Sequence, residues 1–195
     1  MTPRRKQLME AYHQNKIPNV ELLIDNVFDP HNVAAISRSA DGFGIKTIHL
    51  YYTYNTFPKL QRVGKKSSGS ATQWIHFNKI ENLAEFVEGK KHEGYCFWGS
   101  GLQKPAHSLT QVRFPEKCII VLGAESLGLS PEIQKICDER LYIPMVGVVE
   151  SYNISVAAAV IMYEIYKQKG QHLKLSSEYL SPSPHRHAAK PFLIK

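Results

Sequence analysis

Glu125, Ser151 and Asn153 are polar side chains of types that could do chemistry, and they stand where two apolar runs end. One run reads Ile-Ile-Val-Leu-Gly-Ala-Glu125 and the other Ile143-Pro-Met-Val-Gly147, each passing into a glycine- and polar-rich loop. Strands that stop at such loops present backbone N–H and C=O groups to a ligand where bulky side chains would block approach. The pattern points to a nucleotide-like cofactor held largely by main chain. Leu122, Gly123, Ile143, Met145, Ser151 and Tyr152 offer the backbone, and Gly123, Gly147 and Ala157 the room. Ser100, in the loop Gly99-Ser-Gly101, is a further candidate wall, unless that loop is a plain turn.

The elements that must position these residues alternate. Residues 20–24, 45–51, 73–77, 95–98, 118–122 and 141–143 read as strands. Residues 30–41, 80–91, 131–137 and 153–169 read as helices. Alternation of this kind implies a mostly parallel sheet flanked by helices. Residues 2–15 look like a further short helix, with Pro3 suited to its first position. From Ser176 on, the Ser-Pro-Ser-Pro and His-Arg-His segments read as flexible. Asn32 near a helix start suits a capping role, and Arg38 an ion pair with Asp41 three residues on. About 120° of helix separates Asn32 from Arg38, which suits separate tasks.

Composition narrows the function. The 195 residues are 43% hydrophobic and 10% aromatic, enough for a substantial core. No apolar run approaches a membrane span, and the start lacks the apolar core of a signal peptide. Three cysteines fit free thiols in a reducing cytoplasm. The net charge of +7 suggests a polyanionic partner. Its charges gather at Arg4, Arg5 and Lys6, at Lys59, Arg62, Lys65 and Lys66, and from Lys167 through Lys190, with nucleic acid the commonest such partner. There is no Walker A motif, no metal-ligand spacing and no Gly-x-Ser-x-Gly elbow. Gly42-Phe-Gly44 follows a helix rather than a strand, which disfavours a dinucleotide fingerprint.

Three ordered segments carry a resemblance. Asn32-Val-Ala-Ala-Ile-Ser-Arg38, Leu122-Gly-Ala-Glu125, and Ile143-Pro-Met145 with Ser151-Tyr-Asn153-Ile-Ser-Val-Ala resemble the motifs of the TrmH-like (SpoU) branch of the SPOUT RNA 2′-O-methyltransferases. The likeness runs from about residue 20 to 168, and Ser67-Ser-Gly-Ser70 with Trp74 is similar to another family segment. It implies an α/β domain over residues 19–170 with a deep C-terminal trefoil knot, between a basic helical extension (1–18) and a basic tail (171–195). It also implies S-adenosylmethionine as cofactor and a homodimer with active sites at the subunit interface; the ligand spacing already points to no metal.

The resemblance makes Arg38, Asn32, Ser151 and Asn153 the catalytic candidates. Ser100, Leu122, Gly123, Glu125, Ile143, Met145, Gly147, Ser151 and Tyr152 become the cofactor set. A guanidinium stays charged and does not readily take a proton, so Arg38 is expected to clamp phosphate and stabilise the developing alkoxide. The family usually carries Leu where this chain has Tyr152. Short extensions favour tRNA as substrate, with a D-loop guanosine the first expectation. Ribosomal RNA, or RNA binding without catalysis, are the alternatives.

Overall fold

The computed structural model describes residues 16–58, 74–102, 105–124, 127–170 and 173. Glu125, the cationic candidates Arg4, Arg5, Lys6, Lys65 and Lys66, the 2–15 helix, Ser67–Ser70 and most of the tail lie outside the described residues.

Seven strands form one sheet: β1 (Val20–Asp25), β2 (Thr47–Tyr51), β3 (His76–Lys79), β4 (Cys96–Ser100), β5 (His107–Ser108), β6 (Cys118–Leu122) and β7 (Glu139–Tyr142). Their order is β3-β2-β1-β6-β4-β7-β5, and every pairing is parallel. The helices are α1 (Pro30–Gly42), α2 (Leu83–His92), α3 (Pro131–Ile136) and α4 (Ile154–Lys169).

Side-chain alternation splits the core in two. Leu22, Ile24, Ile48, Leu50, Ile120 and Leu122 pack on one face with Val33, Ile36, Ile161 and Ile165 of α1 and α4. Leu23, Phe97, Ile119 and Val121 pack on the other with Ile133 of α3, against Phe86 of α2. With both faces covered, a central strand needs no polar side, and all five residues of β6 are buried.

Several boundaries differ from the sequence expectation. The third strand starts at His76 rather than residue 73, where His76 N–H first donates to Lys46 C=O at 2.8 Å. Helix α2 starts at Leu83, because Asn82 caps it by accepting from Glu85 N–H at 3.2 Å. The seventh strand runs 139–142, leaving Ile143 in the loop: Ser100 pairs with Leu141, and Pro144 lacks the donor to extend the ladder. β5 has only two residues, too few for a periodic signal.

Asp29, not Asn32, caps α1: its side chain accepts from His31 N–H at 2.8 Å, and Pro30 takes the first turn. Asp41, the alternative partner for Arg38, accepts from Lys46 Nζ at 2.9 Å. The cysteines are free; Cys118 is buried, and burial pushes it up to about 11 and Cys137 up to about 12. Neither is a ready thiolate.

Candidate cofactor and acceptor site

The carboxyl ends of β4, β6 and β7 open into a cavity of about 420 Å³. Ser100, Gly101 and Leu102 form one wall, Gly123, Ala124, Gly128 and Leu129 a second, and Tyr142, Ile143 and Met145 a third. Glu150, Ser151 and Tyr152 make the lip, and Ile154, Ala157 and Ile161 of α4 the floor. Of the expected cofactor set, Ser100, Gly123, Ile143, Met145, Ser151 and Tyr152 therefore meet at one place.

Leu122 and Gly147 do not join them. Leu122 is fully buried in β6 with its side chain in the core. Gly147 is exposed between the exposed Val146 and Val148, and an added Cβ there would meet nothing within 4 Å.

Gly123 is the opposite case. A Cβ there would sit 2.4 Å from Gly128 C and 2.6 Å from Leu129 N. The turn is closed by Ala124 N–H to Gly128 C=O at 2.9 Å and the reverse bond at 2.8 Å, with Gly128 at φ 67. The glycines let two backbone stretches touch, and that contact shapes the second wall.

The catalytic candidates divide. Asn153 caps α4, its Oδ1 accepting from Ser155 N–H at 2.9 Å and from Ser155 Oγ at 2.6 Å. Its Nδ2 also donates to Asn32 Oδ1 at 3.2 Å. One residue thus terminates the lip of the cavity and touches α1, joining positions 121 apart in sequence. Arg38 is exposed on α1, and neither it nor Asn32 lines the cavity.

Sequence reasoning missed Arg140 and Glu150, the two charged residues among the described lining. Arg140 Nη2 donates to Gln134 C=O at 3.3 Å, and its Nε is buried without a hydrogen-bond partner. An arginine in a short strand that runs directly into a candidate ligand loop was the available signal. No group of three or more metal-ligating side chains occurs among the described residues.

A wholly parallel sheet with a nucleoside-sized cavity at its carboxyl edge defines an α/β protein of the nucleotide-cofactor-binding class. Residues 19–163 match the model of the SpoU rRNA Methylase family, so the chain belongs to that family and is an RNA methyltransferase by class. It is 30% identical over 168 residues to the tRNA (guanosine(18)-2′-O)-methyltransferase of Thermus thermophilus, covering 86% of this chain and 84% of that one. Among solved structures, it resembles the Aquifex aeolicus TrmH/SpoU tRNA modifying enzyme with a TM-score of 0.75 at 26% identity, over 89% and 90% of the two chains. It shares its fold with the SpoU methyltransferase AviRb of Streptomyces viridochromogenes, solved with AdoMet, at a TM-score of 0.67 and 24% identity, over 78% of this chain and 62% of that one.

Proposed function

We propose that the protein transfers a methyl group from S-adenosylmethionine to a ribose 2′-hydroxyl of tRNA, with a D-loop guanosine as the target. The observation that carries this reading is the contact of Asn153 with Asn32, which sets the lip of the cavity against the helix that bears Arg38. When bound, S-adenosylmethionine supplies a methyl carbon made electrophilic by the adjoining sulfonium.

The chain's own residues do the rest. Gly123, Ile143 and Met145 offer main-chain groups to an adenine edge between apolar walls. Arg140 and Glu150 suit the carboxylate and ammonium of a methionyl end. Asn32 and Asn153 orient the acceptor ribose. Arg38, always cationic, holds the neighbouring phosphate and stabilises the alkoxide as the hydroxyl proton leaves to phosphate or water. Positioning of this kind supplies much of an acceleration.

The acceptor side is completed, in this reading, by a homodimer. Helix α4 buries Ile154, Ala158, Ile161, Met162 and Ile165, yet Val156, Val160 and Tyr163 on its other side are exposed, as are Val146, Val148 and Val149. A helix apolar on all sides calls for cover on all sides. The knot belongs to the segment from β6 to α4, and the basic clusters at residues 4–6 and 59–66 meet phosphates. The work takes place in the cytoplasm, where tRNA is found.

The test is calorimetry with S-adenosylmethionine, followed by transfer of its labelled methyl group to total tRNA and to ribosomal RNA. Wild type is expected to methylate tRNA. Arg38→Ala is expected to lower kcat by roughly 10²–10³ while leaving the cofactor Kd unchanged. Cofactor binding without transfer to either RNA would sink the enzymatic reading and favour a binding protein.

A further inference from the structure

Asp25 and Asn26, at the carboxyl end of β1, take no part in the chemistry above, yet both are fully buried. Asp25 Oδ2 accepts from Ser130 N–H at 2.6 Å, and Oδ1 accepts from Asn26 Nδ2 at 2.8 Å. Burial raises the Asp25 pKa, and the bonds from Ser130 and Asn26 draw it back. Asn26 holds φ 52, a left-handed conformation that Asn tolerates better than most residues. Its Oδ1 accepts from the backbone N–H groups of Thr53, Tyr54 and Asn55 at 2.9, 3.2 and 3.3 Å. Its own C=O accepts from Asn55 Nδ2, and the C=O of Val27 accepts from Tyr52 O–H at 2.9 Å.

Three loops therefore meet on two adjacent side chains. Ser130 directly follows Gly128 and Leu129, which wall the cavity. Asn26 opens the loop that leads to α1 and Asn32. Residues 53–55 precede the basic stretch containing Lys59, Arg62, Lys65 and Lys66. An ionised carboxylate is required at position 25 because two donors face it; an amide would turn its own NH2 against one of them.

We propose that Asp25 and Asn26 are positioning residues with divided duties: Asp25 sets the cofactor wall through Ser130, and Asn26 sets the RNA-facing loops through residues 53–55. The assignment rests on the reading of the cavity as the S-adenosylmethionine site.

The experiment measures S-adenosylmethionine Kd, kcat and tRNA KM for wild type, Asp25→Asn, Asn26→Gly and Ile48→Ala. The last loses core packing in β2 away from these loops and serves as a stability control. Asp25→Asn is expected to weaken cofactor binding about tenfold, one charge-assisted hydrogen bond's worth, with tRNA KM little changed. Asn26→Gly keeps the left-handed backbone and is expected to raise tRNA KM about fivefold with a smaller rise in cofactor Kd, because Asp25 loses the Asn26 bond but keeps the one from Ser130. Variants that differ from Ile48→Ala only in melting temperature overturn the proposal, as does a cofactor Kd that Asn26→Gly raises as much as it raises tRNA KM. That second comparison stands even if Asp25→Asn cannot be recovered folded. Wild type that binds no S-adenosylmethionine overturns the cofactor reading and this assignment with it; normal wild-type binding with an unchanged Asp25→Asn overturns this assignment alone.

Discussion

At the scale of single residues, the proposed division between holding the methyl donor and activating the acceptor rests on charge placement. Arg140 lines the cavity, while Arg38 stands exposed on α1 outside it. Arg140→Ala is therefore expected to raise the cofactor Kd roughly 10- to 100-fold, the value of hydrogen bonds to a charged group, with kcat at saturation nearly unchanged. Calorimetry beside steady-state kinetics reads the difference. Equal cofactor affinity in wild type and Arg140→Ala would remove the arginine from the site. Tyr152, where the family usually has Leu, lines the cavity and is also exposed, so its ring adds to the lip without filling the core.

At the scale of elements, two packed arrangements have measurable consequences. In the β6–α3 turn, Gly123→Ala would drive a Cβ into the Gly128 backbone at 2.4 Å, and backbone cannot swing aside as a side-chain tip can. Overpacking of this kind costs about 1–3 kcal/mol and should weaken cofactor binding at least tenfold, read by calorimetry, with a lower melting temperature.

Beneath α2, Glu21 of β1 accepts from His49 Nε2 at 2.6 Å, from Lys90 Nζ at 3.1 Å and from Tyr95 O–H at 3.1 Å. Asn78 donates to the other His49 ring nitrogen at 3.1 Å, which leaves Nε2–H to face Glu21. Burial alone would raise the Glu21 pKa, but the His49 and Lys90 bonds and charges outweigh it and hold the carboxyl at about 2, against an ordinary 4.5. Because the folded value is depressed, the ionised form stabilises the protein above pH 4.5, and that contribution is lost as pH falls towards 2. Glu21→Gln should cost about 2 kcal/mol at neutral pH after allowance for solvent screening. It should also flatten the fall in stability between pH 4.5 and 2, followed by urea denaturation across pH. An unchanged slope in that window would show that the cluster carries no net stabilisation. Asp25 runs the other way: its raised pKa means that protonation relieves a buried charge as pH falls.

At the scale of the whole molecule, the exposed apolar side of α4 and the exposed valines before it argue for self-association. Tyr163→Glu should convert a dimer to a monomer by sedimentation and lower transfer to tRNA, while S-adenosylmethionine affinity changes less. A wild type that sediments as a monomer at micromolar concentration would remove the dimer from the mechanism.

Much of this molecule was legible in its residues. Periodicity and turn residues were enough for the strand–helix alternation, and β6 falls at 118–122 as read, because a strand buried on both faces is a continuous apolar run. Six of the expected cofactor residues line one cavity, since glycines and polar loops after apolar runs are a local signal. Tertiary structure alone decided the rest. It showed that Asp29 caps α1 and leaves Asn32 to meet Asn153, a pairing across 121 positions that no local pattern encodes. It put the Leu122 side chain in the core, leaving only its backbone near the strand end, and placed Gly147 in an exposed loop. It brought Arg140 and Glu150 into the cavity lining. Sequence determines which residues can form a strand end or a cap; which strand ends stand side by side is set by the order β1-β6-β4-β7, and that order exists only once the chain has folded.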